Sequence, residues 1–256
     1  MLISSPRVIA IVNQKGGVGK TTTALNLGAA IAERGSPVLV IDIDPQANCT
    51  SGLGLDPRRA RRTVYDLLAG EARVDEVAIA TAVDDLWLVP STSSLAGAEI
   101  ELASQPHREG RLRQALGDLA GGFGYVLIDC PPSLGLLTLN GLVGATEMLV
   151  PLQCEFFALE GLAHLLETQQ LVRMRLNQRL ELGGIVMTQF DARTSLAWEV
   201  LADVRSRYSD KLYGTLIPRN VRVSEASSHG QPVTMYDPLC RGALAYRQLA
   251  EEVMST

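Results

Sequence analysis

Residues 15–21 read Lys15-Gly16-Gly17-Val18-Gly19-Lys20-Thr21 and follow directly on an apolar run, residues 8–12, that predicts a buried strand. Glycines let the backbone turn its N–H groups inward around an oxyanion, where a Cβ would obstruct. A helix beginning near Lys20 aims its positive dipole end and its free N–H groups at the same point. The combination predicts a strand–loop–helix that cradles nucleotide phosphates. Lys20 is expected to reach the β- and γ-phosphates, the Thr21 hydroxyl to ligate Mg2+, and Thr22 to add a hydroxyl or N–H to the α-phosphate. The usual loop of this kind has a glycine six residues before the essential lysine; here Gln14 stands there, and a second lysine, Lys15, follows it.

The rest of the chain alternates in the way such a loop requires. Residues 8–12, 38–43, 86–90, 125–129, 148–152, 184–188 and 212–217 read as strands. Most of them are continuously hydrophobic, as parallel strands covered on both faces are. Amphipathic stretches at 21–34, 158–177, 195–208 and 241–254 read as helices between them. The expected fold is α/β, a mostly parallel twisted sheet flanked by helices, in a single domain over residues 1–256. Two regions break the pattern. Residues 56–62 hold four arginines and read as a solvated basic loop, and residues 218–238 are rich in Ser, Gly and Pro with little periodicity. Long irregular segments in compact domains are often functional.

Composition narrows the partners. The formal net charge is −5, so any nucleic-acid binding must come from a local patch or from two patches joined in a dimer. No apolar run approaches the roughly 20 residues that span a bilayer. Residues 1–12 show no cationic leader or cleavage site, which favours the cytoplasm. Cys49, Cys130, Cys154 and Cys240 are far apart and form no close pair, which favours reduced, structural thiols. Lysine occurs only at 15, 20 and 211, so two of the three lie in the glycine-rich loop. A compact ammonium suits a site where phosphate and backbone pack closely better than a planar guanidinium does.

A phosphate cradle needs further parts for hydrolysis. Residues 125–133 give an apolar strand ending in Asp129 and then a Cys-Pro-Pro-Ser turn, so Asp129 is the candidate magnesium carboxylate, acting through a bound water. Residues 38–48 end a second strand with Asp42, Asp44 and Pro45, and alternation puts both carboxylates on one side. A guanine site would show Asn-Lys-x-Asp after a late strand; Thr188-Gln189-Phe190-Asp191 stands there instead.

The heptapeptide at 15–21 resembles the deviant Walker A motif of the ParA/MinD superfamily of P-loop NTPases. Residues 15–30, 38–48, 125–142, 153–166, 191–196, 217–233 and 236–250 resemble its ParA/Soj-like chromosome-partitioning ATPases, a resemblance spread along nearly the whole chain. The resemblance implies a Mg2+-dependent ATPase in which ATP closes a sandwich homodimer. It implies that Lys15 reaches across the two-fold axis to the partner's phosphates, and that Asp44 positions the attacking water. Pro218 and Asn220 would line the adenine pocket. The closed dimer would bind DNA non-specifically on the nucleoid, with Arg193, Arg219 and Arg222 as candidate contacts and Arg205, Arg207 and Lys211 behind them. A ParB-like centromere-binding protein would stimulate hydrolysis and reset the cycle.

The chain begins at its first strand, which leaves no room for the operator-reading extension of some relatives. A MinD-like membrane-positioning ATPase is the alternative; it calls for a closing basic amphipathic helix, whereas residues 245–256 are short and acidic. An iron-protein-like ATPase would need paired cysteines at the dimer axis, and a small-molecule kinase or ligase could use the same loop.

Overall fold

The computed structural model describes residues 5–117, 119 and 121–256. The first four residues of the leader argument lie outside them. Eight strands form one sheet: β1 (Arg7–Ile11), β2 (Val38–Asp42), β3 (Ile79–Ala80), β4 (Leu86–Val89), β5 (Tyr125–Asp129), β6 (Glu147–Gln153), β7 (Glu181–Phe190) and β8 (Leu212–Pro218), in the spatial order β3-β4-β2-β5-β1-β6-β7-β8. All pairings are parallel except β3 with β4. The helices are α1 (Lys20–Ala32), α2 (Asn48–Gly52), α3 (Val64–Ala69), α4 (Val74–Val77), α5 (Leu95–Leu102), α6 (Arg111–Gly117), α7 (Leu136–Gly144), α8 (Ala158–Arg175), α9 (Ser195–Tyr208), α10 (Val221–Ser228), α11 (Val233–Tyr236) and α12 (Arg241–Ser255).

The continuous apolar strands are explained by two separate cores. In β1 and just beyond it, Val8, Ala10 and Val12 enter one core while Ile9 and Ile11 enter the other. Leu39, Ile41 and Ile43 alternate with Val38 and Val40 in the same way. One core is roofed by α1, α2, α10, α11 and α12, the other by α3 to α9. Because the central strands β1, β2 and β5 are covered on both faces, no polar alternation survives in their sequence. The helix after the phosphate loop, α1, packs close to the sheet: a Cβ on Gly28 would come within 3.1 Å of Val40 and 3.3 Å of Leu86. Even Gly→Ala there forces the sheet side chains to shift.

The register places the chemistry. Ile11 and Asp42 both pair with Asp129, so β1, β2 and β5 end level with one another. The chain leaves β1 for β2 on one side and later crosses from β5 to β6 on the other, which makes the C-terminal edge of β1 a topological switch point. Ligands of open α/β sheets bind at such points.

Two expectations are corrected. Residues 218–238 are not irregular; they carry α10 and α11. The Asn220 side chain accepts from the Arg222 N–H at 2.9 Å and starts α10 as an N-cap, a local signal masked by the helix's brevity and its serines. The segment between β2 and β6 also contains α2 to α7, which sequence periodicity did not bring out because each spans nine residues or fewer. The basic segment 56–62 behaves as expected. Asp56 caps a short turn at Pro57–Arg59, and Arg58 and Arg59 stand about 90 % exposed.

Candidate functional site

Gly17 and Gly19 adopt φ of +77° and +87°, the left-handed region that a side chain disfavours, and so bend the loop back over the start of α1. The loop is fixed from several sides. Asn13 donates to the Pro151 carbonyl at 2.8 Å and accepts from the Lys15 N–H at 3.0 Å. The Thr188 hydroxyl, at the end of β7, donates to the Val18 carbonyl at 2.7 Å, and the Gln189 amide donates to the Gly17 carbonyl. Lys20 arches back and donates to the Lys15 carbonyl at 2.9 Å. Thr188 and Gln189 thus hold the phosphate loop, a role that sequence reading missed; their partners lie about 170 residues away.

A cavity of about 630 Å3 opens above the loop, lined by Gly16, Gly17, Gly19, Lys20, Thr21, Thr22, Asp44 and Gln46. It adjoins a second, of about 300 Å3, lined by Gly19, Thr22, Pro218, Asn220 and Tyr246. The sequence-predicted phosphate and base residues are therefore brought side by side. Val18 lies beneath the loop, buried. Lys15 is the exception: it does not line the phosphate cavity, and its ammonium pairs with Glu155 on the exposed surface. Ser224, Ser227 and Ser228 of α10 close the far wall, another contribution the sequence did not announce.

Asp129 and Asp44 lie near Lys20, and Asp42 lies near both of them. Asp42 is buried, accepts from the Thr50 N–H at 2.8 Å and hydroxyl at 2.7 Å, and accepts from the Asp44 N–H at 3.1 Å. Burial pushes its pKa up to about 6 against these hydrogen bonds. Its task is to fold the loop that presents Asp44. The Asp44 carbonyl accepts from the Ser91 hydroxyl, one carboxylate oxygen accepts from the Gln46 N–H at 2.9 Å, and the residue lines the cavity. Asp129 is wholly buried, and neither of its oxygens has a hydrogen-bond partner. Burial, then the Asp42 charge, hold its carboxyl well above the usual range, while Thr21 and Lys20 favour its charged form. Burial lowers the pKa of Lys20, opposed by Asp129 and Asp44.

An unpartnered buried carboxyl costs about 1–3 kcal/mol or more, so Asp129 is a group waiting for a cation. Magnesium fits this donor set: hard oxygens, with few protein ligands. Among the described residues no group of three or more His, Cys, Asp or Glu could cage a metal, and magnesium typically takes one or two protein oxygens and draws the rest from phosphates and water. Thr21 and Asp129 are the residues that would hold it. All four cysteines are free thiols, and Cys49 and Cys130 are sealed in the core.

The candidate DNA cations fare unequally. Arg193 is bound at both ends by Asp191, at 2.8 and 2.6 Å, which holds that carboxyl well below its usual range. Arg222 contacts Glu225 at 2.8 Å and Asp237 at 3.4 Å. Arg219 is exposed and forms no ion pair among the described residues.

Comparison with known proteins shows the family. The model of an AAA-domain family matches residues 6–182. The chromosome partitioning protein ParA of Caulobacter vibrioides is 54 % identical over 97 % of this chain and 94 % of its own length. The sporulation initiation inhibitor protein Soj of Bacillus subtilis is 51 % identical over 96 % and 98 %. A crystal structure of a cobyrinic acid a,c-diamide synthase from Mycobacterium smegmatis, with bound ADP and magnesium, superposes with a TM-score of 0.85 at 40 % identity, over 97 % of this chain and 94 % of that one. With the deviant phosphate loop, Asp44 and Asp129 near its Lys20 and near-full-length identity above one half, the chain belongs to the ParA/Soj family of chromosome-partitioning ATPases.

Proposed function

We propose that this Mg2+-dependent ATPase is a DNA-segregation motor: ATP closes two copies into a sandwich, the closed pair holds DNA without sequence preference, and hydrolysis releases it. The observation that carries the reading is the position of Lys15. Every other polar residue of the loop from 16 to 22 serves its own cavity, whereas Lys15 stands outside it on the surface. A lysine that does not reach its own phosphates can, by exchanging its surface partner Glu155, neutralise those of a second copy.

Within each site the roles follow from placement. Lys20 and the loop N–H groups bind the β- and γ-phosphates; Thr22 faces the α-phosphate; Pro218 and Asn220 bracket the base, Asn220 with its amide, since its oxygen caps α10. Asp44 offers its free oxygen to orient a water. Thr21, and Asp129 through a water, would hold magnesium, which would supply neutralisation of phosphate charge. DNA binding through surface cations would place the protein on the nucleoid, and a ParB-like centromere-binding protein is the expected stimulator of turnover.

A MinD-like attachment to membrane finds less support. No helix among the described residues is long and apolar enough to cross a membrane. The apolar face of α12, including Ala243, Tyr246, Leu249 and Val253, is spent in the core against α1 and β8.

Sedimentation of the purified chain in ATP and in ADP tests the proposal, together with DNA retention. The wild type should dimerise in ATP only. Lys15→Gln should bind ATP and remain a monomer. Asp44→Ala should bind ATP, dimerise and stay on DNA, with turnover reduced on the order of 100-fold or more. An Asp44→Ala protein that is monomeric in ATP and indifferent to DNA contradicts the scheme. Turnover that responds to an amine and a carboxylic acid, and not to DNA with a ParB-like partner, would favour the amide-forming chemistry in the name of the Mycobacterium neighbour.

A further inference from the structure

A cleft of about 430 Å3 lies where the ends of β7 and β8 meet the start of α12. Phe190, Pro218 and Val221 give it an apolar floor, and three guanidinium groups, from Arg193, Arg219 and Arg241, line it against one carboxylate, Asp191. That carboxylate is already spent. Both of its oxygens accept from the Arg193 side chain, and one also accepts from the Arg193 N–H at 3.1 Å. Among the described residues neither Arg219 nor Arg241 makes a side-chain hydrogen bond or ion pair, and both are exposed. Two unpaired guanidiniums therefore remain on a single cleft, in a chain whose net charge is −5.

We infer that Arg219 and Arg241 together hold a backbone phosphate of duplex DNA, and that Arg241 is a DNA contact in its own right; the inference rests on the DNA-binding reading above. The argument is one of counter-charge. An acidic chain repels a polyanion over most of its surface, so attraction must concentrate where cations lack internal partners. Arg193 and Arg222, which the sequence pattern singles out, give up part or all of their charge to Asp191, Glu225 and Asp237. Arg241, which the sequence pattern passes over, gives up none. Guanidinium is a planar fork suited to phosphate oxygens, and two forks from different elements fix a phosphate's position as well as its charge. The same loop places Pro218 and Arg219 on the base cavity, so the cleft wall is continuous with the nucleotide site.

The apolar extension of the cleft, past Trp198 and Leu244, would equally suit an acidic segment of a protein partner, and the test separates the two. The full chain in ATP and magnesium is titrated with random-sequence duplex DNA over a range of salt, as wild type, Arg241→Gln and Arg241→Lys. Each phosphate contact contributes about 0.9 to the slope of log affinity against log salt. Arg241→Gln should therefore lower the slope by about 2 for a dimer and weaken binding several-fold at low salt. Its ATP-dependent dimerisation and DNA-free turnover should stay unchanged. Arg241→Lys should recover most of the slope, because a point charge still neutralises phosphate. An unchanged slope in Arg241→Gln overturns the inference while wild-type DNA binding leaves the proposed function standing. Loss of stimulation by a ParB-like partner with DNA affinity intact also overturns it and assigns the cleft to protein. Loss of dimerisation in Arg241→Gln would make the residue structural and likewise overturn it. A wild type that fails to bind DNA in ATP removes the function itself.

Discussion

Around Val18 the polar side chains that hold the loop each have a fixed partner, and Asn13 and Thr188 are buried; around Arg193 they stand in solvent and pair with whichever carboxylate is near. The Thr188 hydroxyl and the Asn13 and Gln189 amides converge on four residues of backbone, and these bonds join β1, β6 and β7 to the loop. The arginine-bearing face has only exposed ion pairs, each worth about 0–1 kcal/mol and screened by salt. The contrast has a functional meaning. A phosphate cradle must exist before its ligand arrives, since pre-organised donors are the source of its affinity. A non-specific DNA face needs no fixed geometry, only uncompensated charge. One half of the molecule is therefore defined by positions, the other by a balance of charges.

The comparison can be broken most forcefully at Lys20. Lys20→Ala should abolish measurable ATP binding, a loss of at least about 100-fold, read by fluorescent-nucleotide titration. Binding within about tenfold of wild type would mean that the loop backbone alone suffices. A smaller effect probes the buried carboxyls. Asp42 has a folded-state pKa of about 6, raised by burial above the usual range. A carboxyl raised on folding stabilises the fold while protonated and loses that contribution as pH rises through its folded pKa. The melting temperature of the nucleotide-free chain should therefore increase by about 2–4 °C between about pH 7.5 and pH 5.5. Asp42→Asn should flatten that profile, and a mutant profile parallel to the wild type would remove Asp42 as the cause. The smallest effect belongs to the charged face. Arg193→Gln should weaken DNA binding by no more than a few-fold at low salt: the arginine is committed to Asp191, and its loss leaves one exposed carboxylate uncompensated, a single charge change that salt screens. A large loss there would show that DNA displaces Asp191, which would sharpen the division between the two regions.

Much of the phosphate site was legible because it is contiguous. Lys15 to Thr22 form one strand–loop–helix passage, and the residue types needed for backbone N–H donation stand in a row. Asp44 and Asp129 were legible because each ends an apolar strand, and parallel strands that share a register end together. The helices α10 and α11 were not, since short helices carry too few turns to show a period. The clamps from Thr188 and Gln189 were hidden for a different cause. Nothing near residue 188 indicates that β7 will lie two strands from β1 and hand its hydroxyl to Val18.

The sequence by itself determined the local chemistry: which backbone can bend around phosphate, which strands are covered on both faces, and which carboxylates stand at strand ends. Those properties depend on neighbours within a few residues, through φ/ψ preferences and apolar periodicity. Only the tertiary structure decided which charges are spent. That Lys15 rests on Glu155, that Arg222 reaches Asp237, and that Arg219 and Arg241 share one cleft whose single carboxylate, Asp191, is bonded to Arg193 all follow from how strands and helices come together in space. Coulomb interactions depend on distance in space, and sequence separation does not report it.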